Sequence, residues 1–164
     1  MKSIEQLNHF NRQSFIEYLS DIFEHSRWIA EQAEQHRPFL SLQDLHQTMK
    51  KIVETADTKA QLTLIKAHPH LGDTVQMSED STNEQNQAGL KNLTPLEFEQ
   101  FTNLNKQYVT KFQFPFITAV KGKNKEEIYQ EMHKRIHNDE QTEYNTALNE
   151  IYKIAMFRLE GKVH

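Results

Sequence analysis

No cysteine occurs among the 164 residues, which excludes disulfides, thiolate nucleophiles and cysteine-ligated zinc or iron–sulfur sites. Glycine and proline number four each, so chain breakers are scarce and each marks a particular place. No apolar run approaches the ~18 residues that a membrane span requires. Positive charge is not in excess either. Nineteen Lys and Arg against 23 Asp and Glu give a formal net charge of -4, without the basic footprint of a nucleic-acid-binding domain. The N-terminal MKSIEQLNHFNRQ has no apolar h-region, and the C-terminal EGKVH no peroxisomal tripeptide. A cytoplasmic protein with neither nucleic acid nor membrane as partner is therefore expected.

What is present is helical periodicity. Phe15, Tyr18, Leu19, Ile22 and Phe23 recur at spacings of three and four, as on one buried helix face. Trp28, Ile29 and Ala33 suggest a shorter helix ending before Pro38. Ser41 with Asp44 can start a helix bearing Leu45, Met49, Ile52 and Val53, and Asp57 can cap another running up to His68. Pro69 disfavours helical geometry at His68, and Pro69 to Asp80 reads as an ordered loop. Ser81-x-x-Glu84 and Thr94-x-x-Glu97 have the capping-box form, the second followed by Pro95 at the first helical position. A helix is predicted over 95–112, another from Asn124 through Ile136, and a long last one from about Asp139. Only FPFITAV, residues 114–120, looks extended. The expectation is an all-α fold, one compact domain over 1–164 with about seven to nine helices and one extended segment near 114–120.

The block AHPHLGDTVQMSEDSTNEQNQAGL, residues 67–90, carries the chemistry. It sets His68 at a helix end and Glu84 in the first turn of the next helix. A helix C-terminus stabilises a protonated imidazole by ~0.3–1 kcal/mol at the surface, and a nearby carboxylate acts in the same sense. Such a histidine can give and take protons near neutral pH. On residue type alone, a His before Pro is more often a helix-capping side chain, and Glu84 more often the capping partner of Ser81.

The motifs together go further. HPHLG followed by STNEQNQAGL is similar to the signature of the 2-oxo-4-hydroxy-4-carboxy-5-ureidoimidazoline (OHCU) decarboxylase family, and so are LNKQYVTKFQFPFITAVKG (104–122), RIHND (135–139) and IYKIAMFRLE (151–160). The likeness runs in order from about residue 60 to 160. It implies a cofactor-free, metal-free carboxy-lyase acting on a ureidoimidazoline in urate breakdown, giving S-allantoin, and a homodimer. It gives His68 and Glu84 the catalytic roles and Arg158 the place facing the substrate. It also puts Pro69, Ser81 and Gln85 in the substrate site, and the backbone of Phe116, Ile117, Thr118, Ala119 and Val120 against the ring amides and ureido group. Two positions depart from the pattern. His70 stands where an acidic residue is usual, with consequences for charge near His68, and Gln113 stands where Gly is usual, which bears on the backbone turn there.

Two other classes compete. His68-x-His70 and His133-x-x-x-His137 have metal-compatible spacing, the second pair expected on one helix face. Lys134 follows His133, however, so the His-Glu-x-x-His form is absent. A non-enzymatic helical interaction module is the third reading. The clustering of His68, Ser81, Glu84 and Gln85 around one loop weighs against it.

Overall fold

A computed structural model describes residues 1–71 and 79–164, with the side chains of Glu79 and Ser81 outside that description. Of the expected loop from Pro69 to Asp80, Gly72–Ser78 therefore lies outside the described residues. Among the described residues the fold is all-α: α1 (Ile4–His9), α2 (Arg12–Leu19), α3 (Arg27–Glu34), α4 (Leu42–Thr55), α5 (Thr58–Ala67), α6 (Glu79–Gln87), α7 (Pro95–Phe112), α8 (Lys125–Arg135) and α9 (Glu140–Lys162). A 3-10 turn at Leu90–Asn92 precedes α7.

The helix starts follow local chemistry. The Ser41 hydroxyl accepts from the Asp44 amide at 3.1 Å, Asp57 from Ala60 at 2.7 Å and Asp139 from Thr142 at 2.7 Å. Thr94 and Glu97 form a reciprocal capping box at 3.1 and 3.0 Å, with Pro95 where a missing amide hydrogen costs nothing. Asn124 and Glu127 form another. Replacing Thr94 by Ala is expected to cost about 1 kcal/mol, measurable as a shift in urea midpoint at unchanged slope.

Three readings are corrected. The periodicity through Ile22 and Phe23 does not continue one helix: α2 ends at Leu19, and Ile22 and Phe23 are buried from the turn beyond it. Their spacing reports burial, not helicity. A helix absent from the expectations, α1, starts at a Ser3–Gln6 capping box. The third concerns α6, which begins at Glu79. Ser81 thus lies in its first turn and Glu84 in its second, so Ser81 does not begin the helix; acidic Asp80 sits at the positive end of the helix dipole, where a carboxylate is favourable.

The chain divides into two compact units, residues 1–67 with 152–164, and residues 68–151. In the first, Leu7, Phe15, Leu45, Met49 and Leu64 are fully buried. Arg37 stacks on Phe15, donates to the carbonyls of Leu7 and Phe10 at 3.2 and 2.5 Å and pairs with Glu34. In the second unit, Tyr108, Phe116, Ile128, Met132 and Ala147 form the core. Tyr108 packs edge-on to Phe114 and Phe116.

Candidate functional site

α5 is anchored at its C-terminal end by buried Leu64 and Ile65, and Pro69 stops it. His68 follows its last residue directly and is only 7% exposed. On α6, Glu84 is half-buried and Gln85 buried. An imidazole, a carboxylate and a carboxamide, largely removed from water, thus stand at the end of one helix and on the second turn of the next. Pro69 is half-buried beside His68.

Phe116 to Val120 follow α7 with neither helix nor ladder, and all five residues are buried. Buried backbone needs hydrogen-bond partners; for the Ile117 carbonyl and the Ala119 amide, charged side chains from α8 and α9 supply them. Arg135 donates to the Ile117 carbonyl at 2.8 Å and stacks over the Phe116 ring at 4.3 Å. The Ala119 amide donates to Glu150 Oε1 at 3.4 Å. The Thr118 hydroxyl bridges Glu131 at 2.8 Å and Glu150 at 3.1 Å, and Lys123 donates to Thr118 at 2.9 Å and Glu131 at 2.6 Å.

Behind this layer Glu143, with no exposure, accepts from Arg135 at 2.9 Å, Tyr108 at 2.5 Å and Asn138 at 3.0 Å. Burial pushes the Tyr108 phenol well above its ordinary range, and the Glu143 carboxylate adds to the rise. Tyr108 is therefore a fixed hydrogen-bond donor at neutral pH. Burial alone would raise the Glu131 carboxyl, but hydrogen bonds from Lys123 and Thr118, with the Lys123 and Arg135 charges, hold it below the ordinary value.

Arg158 is a buried residue of the first unit. It donates to Glu24 Oε2 at 3.1 Å and to the carbonyls of Asp21 and Ile22 at 3.3 and 3.4 Å. Glu24 itself has 1% exposure, so this pair is not the weak surface kind. Gln113 caps α7 in the left-handed conformation, φ 62°, where Gly is usually preferred. Its amide still closes the turn onto Val109 at 2.8 Å, and its side chain donates to the Thr110 carbonyl at 2.8 Å. The substitution keeps the turn.

His70 lines a cavity of about 550 Å³ with Leu71, Phe98, Phe101 and Asn105. None of the described residues given a role by resemblance lines it. The histidine pair at 133 and 137 does not share a helix, because α8 ends at Arg135. The two rings instead meet edge-on, 5.9 Å between centroids. Among the described residues no three His, Asp or Glu side chains gather as a metal site.

Sequence reasoning assigned no role to Arg135, Glu143, Glu150, Glu131, Lys123 or Glu24. Arg135, Glu143, Glu150 and Glu24 are buried and Glu131 and Lys123 half-buried, and nothing local in the sequence marks that burial. The one available signal was that Arg135 opens the RIHND motif.

These features define an all-helical protein with a buried His at a helix end and an unladdered segment clamped by charge. The sequence model of the OHCU decarboxylase family matches residues 8–160, and the chain belongs to that family. It is 49% identical over 159 residues to the uric acid degradation bifunctional protein PucL of Bacillus subtilis (strain 168), covering 97% of this chain and 32% of that protein. It is 41% identical over 157 residues to the 2-oxo-4-hydroxy-4-carboxy-5-ureidoimidazoline decarboxylase of Haloferax volcanii, covering 96% and 94%. The chain thus spans about a third of the length of the Bacillus relatives it matches, and nearly all of the archaeal one. A crystal structure of (S)-allantoin synthase superposes with a TM-score of 0.84 at 27% identity, over 100% of this chain and 54% of that one. One of OHCU decarboxylase in the presence of (S)-allantoin superposes at 0.73 and 23% identity, over 88% and 96%, a likeness of fold.

Proposed function

We propose that this chain decarboxylates 2-oxo-4-hydroxy-4-carboxy-5-ureidoimidazoline, releasing carbon dioxide and giving (S)-allantoin in urate breakdown. The observation that carries the reading is the buried His68 at the end of α5, with Glu84 and Gln85 on the helix that follows.

The substrate's carboxylate sits on a carbon next to a ring C=N. When the bond to carbon dioxide breaks, its electron pair moves into the imine, so the substrate is its own electron sink and no cofactor is needed. The chain has three tasks: to hold the ring, to manage the neighbouring hydroxyl proton, and to deliver a proton to the ring carbon from one face. His68 and Glu84 polarise the hydroxyl and assist loss of carbon dioxide. Pro69, Ser81 and Gln85 line the ring, and the backbone of Phe116 to Val120 holds its amides. Holding reactants in register can lower a barrier by ~7–11 kcal/mol in favourable cases, and positioned proton transfer contributes about 10²–10⁴-fold. A cytoplasmic homodimer of single-domain chains is the working form in this reading.

Adding the protein to freshly formed urate-oxidation products and following circular dichroism tests it. Rapid growth of one allantoin enantiomer is expected. Slow racemic formation, at the rate of a blank, would overturn the proposal.

A further inference from the structure

We infer that Arg135 and Glu150 are positioning residues: they grip the Ile117 carbonyl and the Ala119 amide from one side, so that the alternate edge, centred on Thr118, is presented to the substrate's ring amides. The inference rests on the decarboxylase reading for the identity of the ligand.

Three observations carry it. In an extended chain the N–H and C=O of one residue point to the same side, and the next residue's point to the other. The Ile117 carbonyl and the Ala119 amide, two residues apart, both end on charged side chains, at 2.8 and 3.4 Å. Thr118 therefore directs its N–H and C=O the other way, together with the Val120 N–H. Second, none of these three groups hydrogen-bonds to another backbone group among the described residues, although both residues are buried. A donor beside an acceptor at one residue, with a further donor two residues on, is complementary to a cyclic amide or ureide. Third, the clamp is itself held. Glu143 and Glu131 fix the Arg135 guanidinium at 2.9 and 3.2 Å, the Phe116 ring stacks on it, and Thr118 and Lys123 face Glu150 at 3.1 and 3.8 Å.

Among the described residues no sheet partner sets the height of this segment; two helices do, through side chains. Arg135→Lys keeps the charge but loses the planar guanidinium that spans Ile117, Glu131 and Glu143. Glu150→Leu removes the acceptor for Ala119 and Thr118, whereas Glu150→Gln keeps an oxygen there.

The test measures decarboxylation kinetics, inhibition by (S)-allantoin and hydrogen exchange in the full chain. Arg135→Lys and Glu150→Leu are expected to raise KM and the (S)-allantoin Ki together by about tenfold, with kcat within about threefold, the pattern of lost binding common to ground and transition states. Amides 117–120 exchange about tenfold faster in Glu150→Leu, and Glu150→Gln restores both properties to within about threefold. Parental KM, Ki and exchange in Glu150→Leu overturn the inference, as does an equal loss in Glu150→Gln and Glu150→Leu. Should Glu150→Leu not fold, Arg135→Lys and Thr118→Val take its place, and parental KM in both overturns it. A parent chain that fails to decarboxylate takes down the functional reading instead, and the exchange contrast between Glu150→Leu and Glu150→Gln then decides the clamp.

Discussion

Replacing His68 by Gln is expected to lower the rate of (S)-allantoin formation at least about 100-fold, with the helical circular dichroism spectrum and melting temperature close to those of the parent. Gln is polar, of similar length and unable to take up a proton, so the substitution separates proton handling from hydrogen bonding. His68 follows the C-terminus of α5, the negative end of the helix dipole, and its near-complete burial strengthens any electrostatic interaction it makes with a bound anion. Its position after the last helical residue means that the α5 hydrogen-bond ladder does not depend on it. Stopped-flow circular dichroism gives the rate, and a thermal melt of the same sample gives the fold. A Gln variant turning over at the parental rate would remove His68 from the chemistry.

The second large effect is on stability. Glu143→Ala is expected to destabilise the chain by about 3–5 kcal/mol, the usual cost of breaking a buried ion pair by removing one partner. For a chain of this length that corresponds to a fall of roughly 6–20 °C in melting temperature. The carboxylate is fully buried and accepts from Arg135, Tyr108 and Asn138 at once. Its loss strands a buried cation and a buried phenol. Restoring an apolar environment by the double change Arg135→Met and Glu143→Leu should recover most of the melting temperature, because the penalty comes from the unpaired charge. The same double change removes the donor to Ile117. Stability and substrate affinity should therefore part company in that variant: melting recovers while KM stays high.

How far the sequence discloses this structure depends on the range of the interaction. Thr94, Glu97, Asn124 and Glu127 cap their helices as their spacing predicts, because a capping box is complete within four residues. Ser81 and Glu84 have the same spacing without the same role, since what lies upstream, Glu79 and Asp80, already begins the helix. Ile22 and Phe23 misled because burial in a turn imitates helical periodicity. At the site, the linear motif draws attention to His68, Glu84 and Gln85. The side chains that hold the 116–120 backbone are invisible by that route. Glu150 lies 31 residues from Ala119, Arg135 lies 18 from Ile117, and Glu24 lies 134 from Arg158. Charged residues on amphipathic helices read as solvent-facing until tertiary structure buries them.

Pro115 to Val120 run through the second unit without a neighbouring strand among the described residues. A ribbon of main chain inside a sheet can slip by one residue and exchange its faces; this one has no ladder along which to slide. Its heritable constraints therefore lie on two distant helices. Drift at 135 or 150 would be felt at 117 and 119, and family members that vary there should vary in concert.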